Sequence, residues 1–391
     1  MRSIIQNTKG DVVIWLVIFC LSLFSILAVY SSVGTLAYRL QDGNTEYYLV
    51  KHTILMVLGI GAIYLCHLID FRYYSRLAQL LLYLSVPLLL ITYFLGLDVN
   101  QAKRWLVVPG LNVTFQTSNV AKLALVMFVA RMLSKKQHII KDFKQTFVPL
   151  MGAIFLICGL IAPADFSTAA VLFSSCFILL FVGRVNRKHW GLLVGISAMS
   201  LGFYIGIAST TGMDSRIGTW ERRIESFTDN EKLSYQNRQA HIAIATGGVV
   251  GKGPGNSTQR SFLPNPFSDF IYAIILEEWG MIGGVFILLL YLIVLMRSLR
   301  IVLKSPRAFG AFLSLGLSLL LVLQALVNMA VAVHLIPVTG LNLPMVSMGG
   351  TSLLFTCFSF GIILSVSRYI EENEEEDGSA NNPVPQNIPA S

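Results

Sequence analysis

Arg104, Lys122, Asp165, Asp269, Glu277 and Glu278 lie inside or at the edge of long apolar runs. An ion in hydrocarbon is costly, so these side chains are the first functional suspects. Asp269 follows Pro264, Pro266 and Ser268, which predicts a place in the first turn of a helix that starts where a long loop ends. There it is either a carboxylate stabilised by the helix N-terminus or a base within reach of a hydroxyl. Glu277 would lie about 12 Å deeper and about 80° round the helix, able to line the same cavity, whereas Glu278 would point to the opposite face and pair with another helix. Arg104, beside Lys103 and Trp105, either anchors the chain at a membrane interface or holds a pyrophosphate in a guanidinium fork. Lys122 has an ion-pair partner to hand in Asp165, and that pairing leaves a substrate role open.

Two glycine-rich or irregular segments accompany these residues. Gly247 to Ser257 superficially resembles a phosphate loop, but Lys252 is followed by Gly253 rather than Ser or Thr and no strand precedes it, so it is not a nucleotide-binding loop. Its glycines suit either close backbone approach to a ligand or tight turns at the membrane surface. The segment Pro337 to Ser352 reads as an irregular loop that folds back to line a cavity.

The elements that carry these residues follow from composition. The chain has 391 residues, 54% of them hydrophobic and 13% charged, which excludes an ordinary soluble surface. Hydropathy places spans at 12–33, 50–69, 77–96, 118–134, 147–163, 166–183, 190–208, 269–297, 308–333 and 348–367, the first retained rather than cleaved. The expected fold is thus an all-α polytopic integral membrane protein of about ten transmembrane helices. A single membrane-embedded domain covers residues 1–370, with one large extracytoplasmic loop, 209–268, between the seventh and eighth helices. Trp220, Ile224 and Phe227 recur at helical spacing in that loop and predict an amphipathic segment on the membrane surface. The acidic run from Glu371 begins an expected disordered cytoplasmic tail, 371–391.

The net charge of +8 is spread in short clusters between apolar runs, which argues for membrane topology and against nucleic acid. Arg72, Arg131, Lys135, Arg184, Arg297 and Lys304 fall in alternate connections, so both termini are expected in the cytoplasm and the ionisable groups above in the outer half of the membrane. Cys20, Cys66, Cys158, Cys176 and Cys357 stand singly in apolar runs, giving neither a disulfide framework nor a zinc site.

Three blocks together resemble the SEDS family (shape, elongation, division and sporulation) over nearly the whole chain. They are Ala102 to Trp105 with Phe115, Gln116, Ala121 and Lys122; Gly247 to Gln259 leading to Leu263, Pro264, Asp269 and Glu277; and Pro337 to Ser352. The segment Gly253 to Gln259 is most similar to division-type members rather than elongation-type ones. Asn119 and Asn265 stand where the family commonly has Glu, so no role is carried over to them. The resemblance implies a peptidoglycan glycosyltransferase polymerising lipid II and releasing undecaprenyl pyrophosphate in a bacterial inner membrane, at the division septum. It implies partnership with a class B penicillin-binding protein and other division proteins, and a divalent cation (Mg or Mn) is a possible aid. Asp269 takes the catalytic role; Arg104, Lys122, Asp165, Gln239, Ser257, Gln259, Glu277, Thr339, Ser347 and Ser352 are the expected substrate contacts. A lipid II flippase and a scaffold for the transpeptidase are the competing classes, but neither needs a carboxylate at the outer loop boundary.

Overall fold

The computed structural model describes residues 9–34, 44–99, 102–108, 113–186 and 234–381, together with residues 36, 191, 195, 223 and 225–228. The helices are α1 (Val12–Ser32), α2 (Thr45–Leu68), α3 (Phe71–Leu95), α4 (Thr117–Lys135), α5 (Val148–Ile161), α6 (Phe166–Val182), α7 (Tyr235–Gly247), α8 (Ile271–Lys304), α9 (Ala308–Ala332) and α10 (Thr351–Asn381). Among the described residues eight helical segments are long and apolar enough to cross a membrane, and α6 is a shorter apolar helix. The expected span 190–208 and the positions Trp220 and Ile224 lie outside the described residues.

Apolar runs form these helices because a backbone in lipid must satisfy its own hydrogen bonds. Their ends carry side-chain caps: Asp11 accepts from the amides of Val13 and Ile14, Asp70 from Arg72, and Asp165 from Thr168. At one end of the bundle Arg297 Nε lies 2.6 Å from Asp11 Oδ2, tying α8 to α1. At the same end Lys9 pairs with Glu375, and Gly10 N–H donates to Glu371. These contacts accompany a difference from expectation: α10 does not stop at 367 but runs through Asn381, so residues 371–381 of the expected disordered tail, 371–391, are helical. The carboxylates at 371 and 375 find donors on the N-terminal segment, which favours continuing the helix.

At the other end, the connection from α3 to α4 is a three-stranded antiparallel sheet, β1 (Leu97–Val99), β2 (Ala102–Val108) and β3 (Val113–Gln116), in the order β1-β2-β3. Trp105 is in register with Gln116, and Leu106 with Phe115. Hydropathy alone marks no element between the third and fourth spans. Trp105, Leu106, Val107 and Val108 are strand formers, but a search for spans does not register a run this short.

The segment between α9 and α10 is irregular yet buried, with Leu341, Leu343, Met345 and Val346 each at most 5% exposed. Side chains satisfy its backbone: Asn328 Nδ2 donates to Leu341 O (2.6 Å), Gln324 Nε2 to Asn342 O (2.9 Å), Ser25 Oγ to Val346 O (2.9 Å) and Tyr291 Oη to Pro344 O. Non-helical backbone is stable at this depth only when protein supplies such partners.

Candidate active site

The segment Pro264 to Phe270 turns the chain into α8, and Asp269 sits in that turn, two residues before the helix begins at Ile271 rather than within its first turn. Its carboxylate is half-buried. Ser268 Oγ lies 2.9 Å from Asp269 Oδ1 and 2.8 Å from Asn342 Oδ1. One hydroxyl proton serves both acceptors, and the charged one holds it more strongly. The backbone of the turn is pinned as well: Asn328 Nδ2 donates to Asp269 O (2.9 Å), Ser347 Oγ to Ser268 O (2.7 Å) and Met348 N–H to Phe267 O (2.9 Å). Thus the irregular segment after α9 fixes Asp269 from below, and Ser347 is a positioning group for it.

Asp165, Arg104 and Arg223 are the charged neighbours of Asp269. Arg104, on β2, donates through Nε to Ala164 O (2.7 Å) and places Nη1 3.4 Å from Asp165 Oδ2. Arg104, not Lys122, is therefore the ion-pair partner of Asp165. Burial pushes the Asp269 carboxyl above the usual carboxylate range, against the Ser268 hydrogen bond and the two guanidiniums. Among the described residues the hydrogen bond to this carboxylate comes from the Ser268 hydroxyl and none from a helix N–H, and desolvation is the largest influence on it.

Lys122 makes no hydrogen bond or ion pair among the described residues. It lines a small polar cavity of about 30 Å³ with Asn119, Gln324, Ser352 and Thr356. Ser352 Oγ accepts from Asn342 Nδ2 at 3.3 Å, so this cavity adjoins the network that ends at Asp269. Thr339 and Arg223 line another cavity, of about 310 Å³, against α6 and α9. In the sequence Arg223 lies within the amphipathic stretch of Trp220, Ile224 and Phe227, and no spacing ties it to α6 or to Asp269. Gln239 is half-buried on α7 and makes no hydrogen bond among the described residues.

Glu277 and its loop form a separate structure. The Glu277 carboxylate is fully buried and accepts from Lys252 Nζ (2.5 Å), Ser257 Oγ (2.5 Å), Thr258 N–H (3.1 Å), Thr258 Oγ1 (2.8 Å) and Gln259 N–H (3.2 Å). With these donors filling it, the carboxylate is committed to the loop rather than to the cavity at Asp269, and the Ser257 hydroxyl is committed with it; Gln259 gives only its backbone N–H, and its Oε1 is buried without a partner among the described residues. Glu278 does meet another helix, accepting from Ser31 Oγ at the end of α1.

The reason is a break in α8. Gly280 has φ 65° and ψ −165°, and the glycine loop crosses the gap. Lys252 and Gly253 donate their N–H groups to Glu277 O and Glu278 O, while Gly248 O and Val249 O accept from Met281 and Ile282 N–H. The loop backbone thereby serves the orphan groups of both half-helices. A Cβ on Gly251 or Gly280 would collide with the opposing backbone, so close approach here is to the protein's own helix.

Among the described residues no three His, Cys, Asp or Glu side chains come together as a metal cage. A divalent cation at Asp269 would need the oxygens of a bound phosphate as further ligands.

A bundle of apolar spans that gathers a half-buried carboxylate, two guanidiniums and an apolar cavity at one end defines a multi-pass membrane protein with a polar site. Residues 11–372 match the FtsW/RodA/SpoVE family, described as cell cycle proteins, and the chain belongs to that family. It is 31% identical to stage V sporulation protein E of Bacillus subtilis over 376 residues, covering 93% of this chain and 98% of that protein. It is 33% identical to a probable peptidoglycan glycosyltransferase FtsW of Trichlorobacter lovleyi, covering 94% and 95%. Among solved structures it superposes with a TM-score of 0.68 and 25% identity on a chain from a study titled "Structural coordination of polymerization and crosslinking by a peptidoglycan synthase complex", covering 92% of this chain and 98% of that one.

Proposed function

We propose that this chain is a peptidoglycan glycosyltransferase that polymerises lipid II into glycan strands, with Asp269 as general base. The observation that carries the mechanism is a half-buried carboxylate held by Ser268 and by the Asn328-pinned turn, with Arg104 and Arg223 nearby. The reaction joins an acceptor sugar hydroxyl to an anomeric carbon. The hydroxyl proton passes to Asp269, the new C–O bond forms, and the bond to the pyrophosphate breaks with its electron pair leaving on the phosphate oxygen. A base lowers the first barrier, and cations stabilise the charge developing on the leaving group.

The division-type reading rests on the Gly253 to Gln259 segment and favours action at the septum, while the distribution of Lys and Arg among the connections supports both termini in the cytoplasm. Peptidoglycan synthase complexes pair a polymerase with a crosslinking enzyme, and we assign this chain a class B penicillin-binding protein as partner. A flippase needs a polar cavity but no base at its mouth, so the placement of Asp269 favours the enzyme. Supplying lipid II in detergent to the purified chain with its transpeptidase tests the proposal. Glycan polymer is the expected product, and its absence under activating conditions would favour transport.

A further inference from the structure

Two histidines meet where α7 packs against the end of α9. Asn237 and His241 lie one turn apart on the same face of α7, and His334 is the second residue beyond α9. The ring centroids of His241 and His334 are 4.9 Å apart at an interplanar angle of 78°. Asn237 Nδ2 lies 3.4 Å from His334 Nδ1, and the Phe227 ring packs against His334 with its centroid 5.1 Å away. In this group His334 Nε2 and Asn237 Oδ1 are buried without a hydrogen-bond partner among the described residues.

The backbone carries a second sign. α9 ends in a Schellman motif, in which Leu335 N–H donates to Ala330 O (2.8 Å) and His334 N–H to Val331 O (3.0 Å). His334 therefore occupies the left-handed position, and its φ is 58°. Glycine takes that conformation without strain. A histidine there holds an imidazole against α7 at a conformational cost. Edge-to-face packing of two rings accounts for the contact with His241, but it leaves the buried Nε2 and amide oxygen unserved.

One arrangement gives both atoms a partner. A half-turn of the Asn237 amide brings Oδ1 to His334 Nδ1, whose N–H then donates to it and leaves Nε2 an open lone pair. Metal-bound imidazoles commonly make that outer hydrogen bond. A tetrahedral ion with nitrogen ligands at about 2.0–2.1 Å holds two imidazole centroids roughly 5 Å apart. The pair here has that separation. Imidazole nitrogen suits borderline transition ions such as Zn²⁺, whereas Mg²⁺ and Ca²⁺ prefer oxygen. Two histidines are fewer than a closed cage needs, so water completes the coordination. His241 is exposed, which gives an ion access from solvent.

We propose that His241 and His334 form a binding site for Zn²⁺ or a similar borderline transition ion, with Asn237 as the positioning residue for His334. Bound there, the ion joins α7, which leads into the loop that closes α8, to the segment after α9 that pins Asp269. The site stands apart from the polymerase reading, and neither histidine is among the charged neighbours of Asp269.

The test takes the full chain in detergent, freed of affinity tags and stripped with chelator. It is titrated with ZnCl₂ by calorimetry, and its thermal midpoint is followed with and without the ion. One equivalent should bind, and the midpoint should rise by a few degrees at about 100 times the dissociation constant. Excess MgCl₂ should not displace the zinc. His334→Gly removes the imidazole and suits the left-handed backbone, so its midpoint without metal should match or exceed that of the unmutated chain while the zinc equivalent is lost. His241→Ala changes an exposed helix position and should keep the fold while losing the same equivalent. Asn237→Ala should weaken zinc about 10–100-fold, and Asn237→Asp, which keeps an oxygen for Nδ1–H, should restore it. Undiminished zinc binding by both His334→Gly and His241→Ala, or no zinc bound by the unmutated chain, would overturn the proposal. Because the readout is zinc itself, failure here leaves the polymerase reading standing, and absence of glycan polymer leaves the zinc site standing.

Discussion

Lys252 Nζ lies 2.5 Å from the Glu277 carboxylate, so a loop cation closes the break in a membrane helix. The carboxylate is fully buried and the lysine about a quarter exposed, at 27%. Removing one member of a buried ion pair typically costs about 3–5 kcal/mol. Glu277→Ala should therefore lower the thermal midpoint sharply and reduce folded yield. Lys252→Ala should do less, because Ser257, Thr258 and Gln259 still serve the carboxylate. The double variant should show a coupling of about 0.5–3 kcal/mol; additive losses would mean that the contact does not hold the break.

The glycine loop gives a companion prediction. Gly251→Ala meets the Glu278 backbone and needs a left-handed backbone at φ 88°, whereas Gly61→Ala in α2 meets nothing within 4 Å. Folded yield in detergent should collapse for the first. It should hold or rise slightly for the second, since Ala favours a helix over Gly by about 1 kcal/mol. Equal yields would show that the loop does not lie in the break.

Asp165 both caps α6 and faces Arg104. Asp165→Asn keeps an oxygen for Thr168 N–H and loses the charge; Asp165→Ala loses both. Since Arg104 is 33% exposed, the ion pair is worth about 1 kcal/mol or less, while loss of the cap costs about 0.5–2 kcal/mol. Thermal midpoints should fall in the order wild type, Asn, Ala. Equal midpoints for Asn and Ala, both below wild type, would place the stabilising effect in the charge instead of the cap.

Much of this architecture was legible in the sequence, and the reason is hydropathy. Lipid selects long apolar helices, so Val12–Ser32, Phe166–Val182 and Ala308–Ala332 fall within a residue or so of the expected limits. Asp269 was legible because prolines and a serine mark the turn before it. The short sheet was not, since β2 has only seven residues and its pairing with β3 is a tertiary fact. Nor was the role of Glu277, because helical spacing says where a side chain points but not that a loop folds into the helix to meet it. Arg223 came close to the site only through the fold.

Topology is open to labelling at exposed positions. Gln259 and Leu341 are 8% and 5% exposed and make poor targets, whereas Asn256 and His138 are exposed. In a background without the native cysteines, Asn256→Cys should react with an impermeant thiol reagent in intact cells, and His138→Cys only after lysis. The reverse pattern would put Asp269 on the cytoplasmic side and end the polymerase account.

The most direct test of the central claim is polymerisation of lipid II by Asp269→Asn, assayed across pH with the transpeptidase present. Burial raises the Asp269 carboxyl. Its ionised form, and hence the unmutated rate, should then fall as pH drops through a value above the ordinary carboxylate pKa of about 3.9. Asp269→Asn keeps size and can still bind the partner and lipid II. It should make glycan polymer about 10²–10⁴-fold more slowly and lack that acid limb. Polymer formed by Asp269→Asn at the unmutated rate would contradict the assignment of Asp269 as the base.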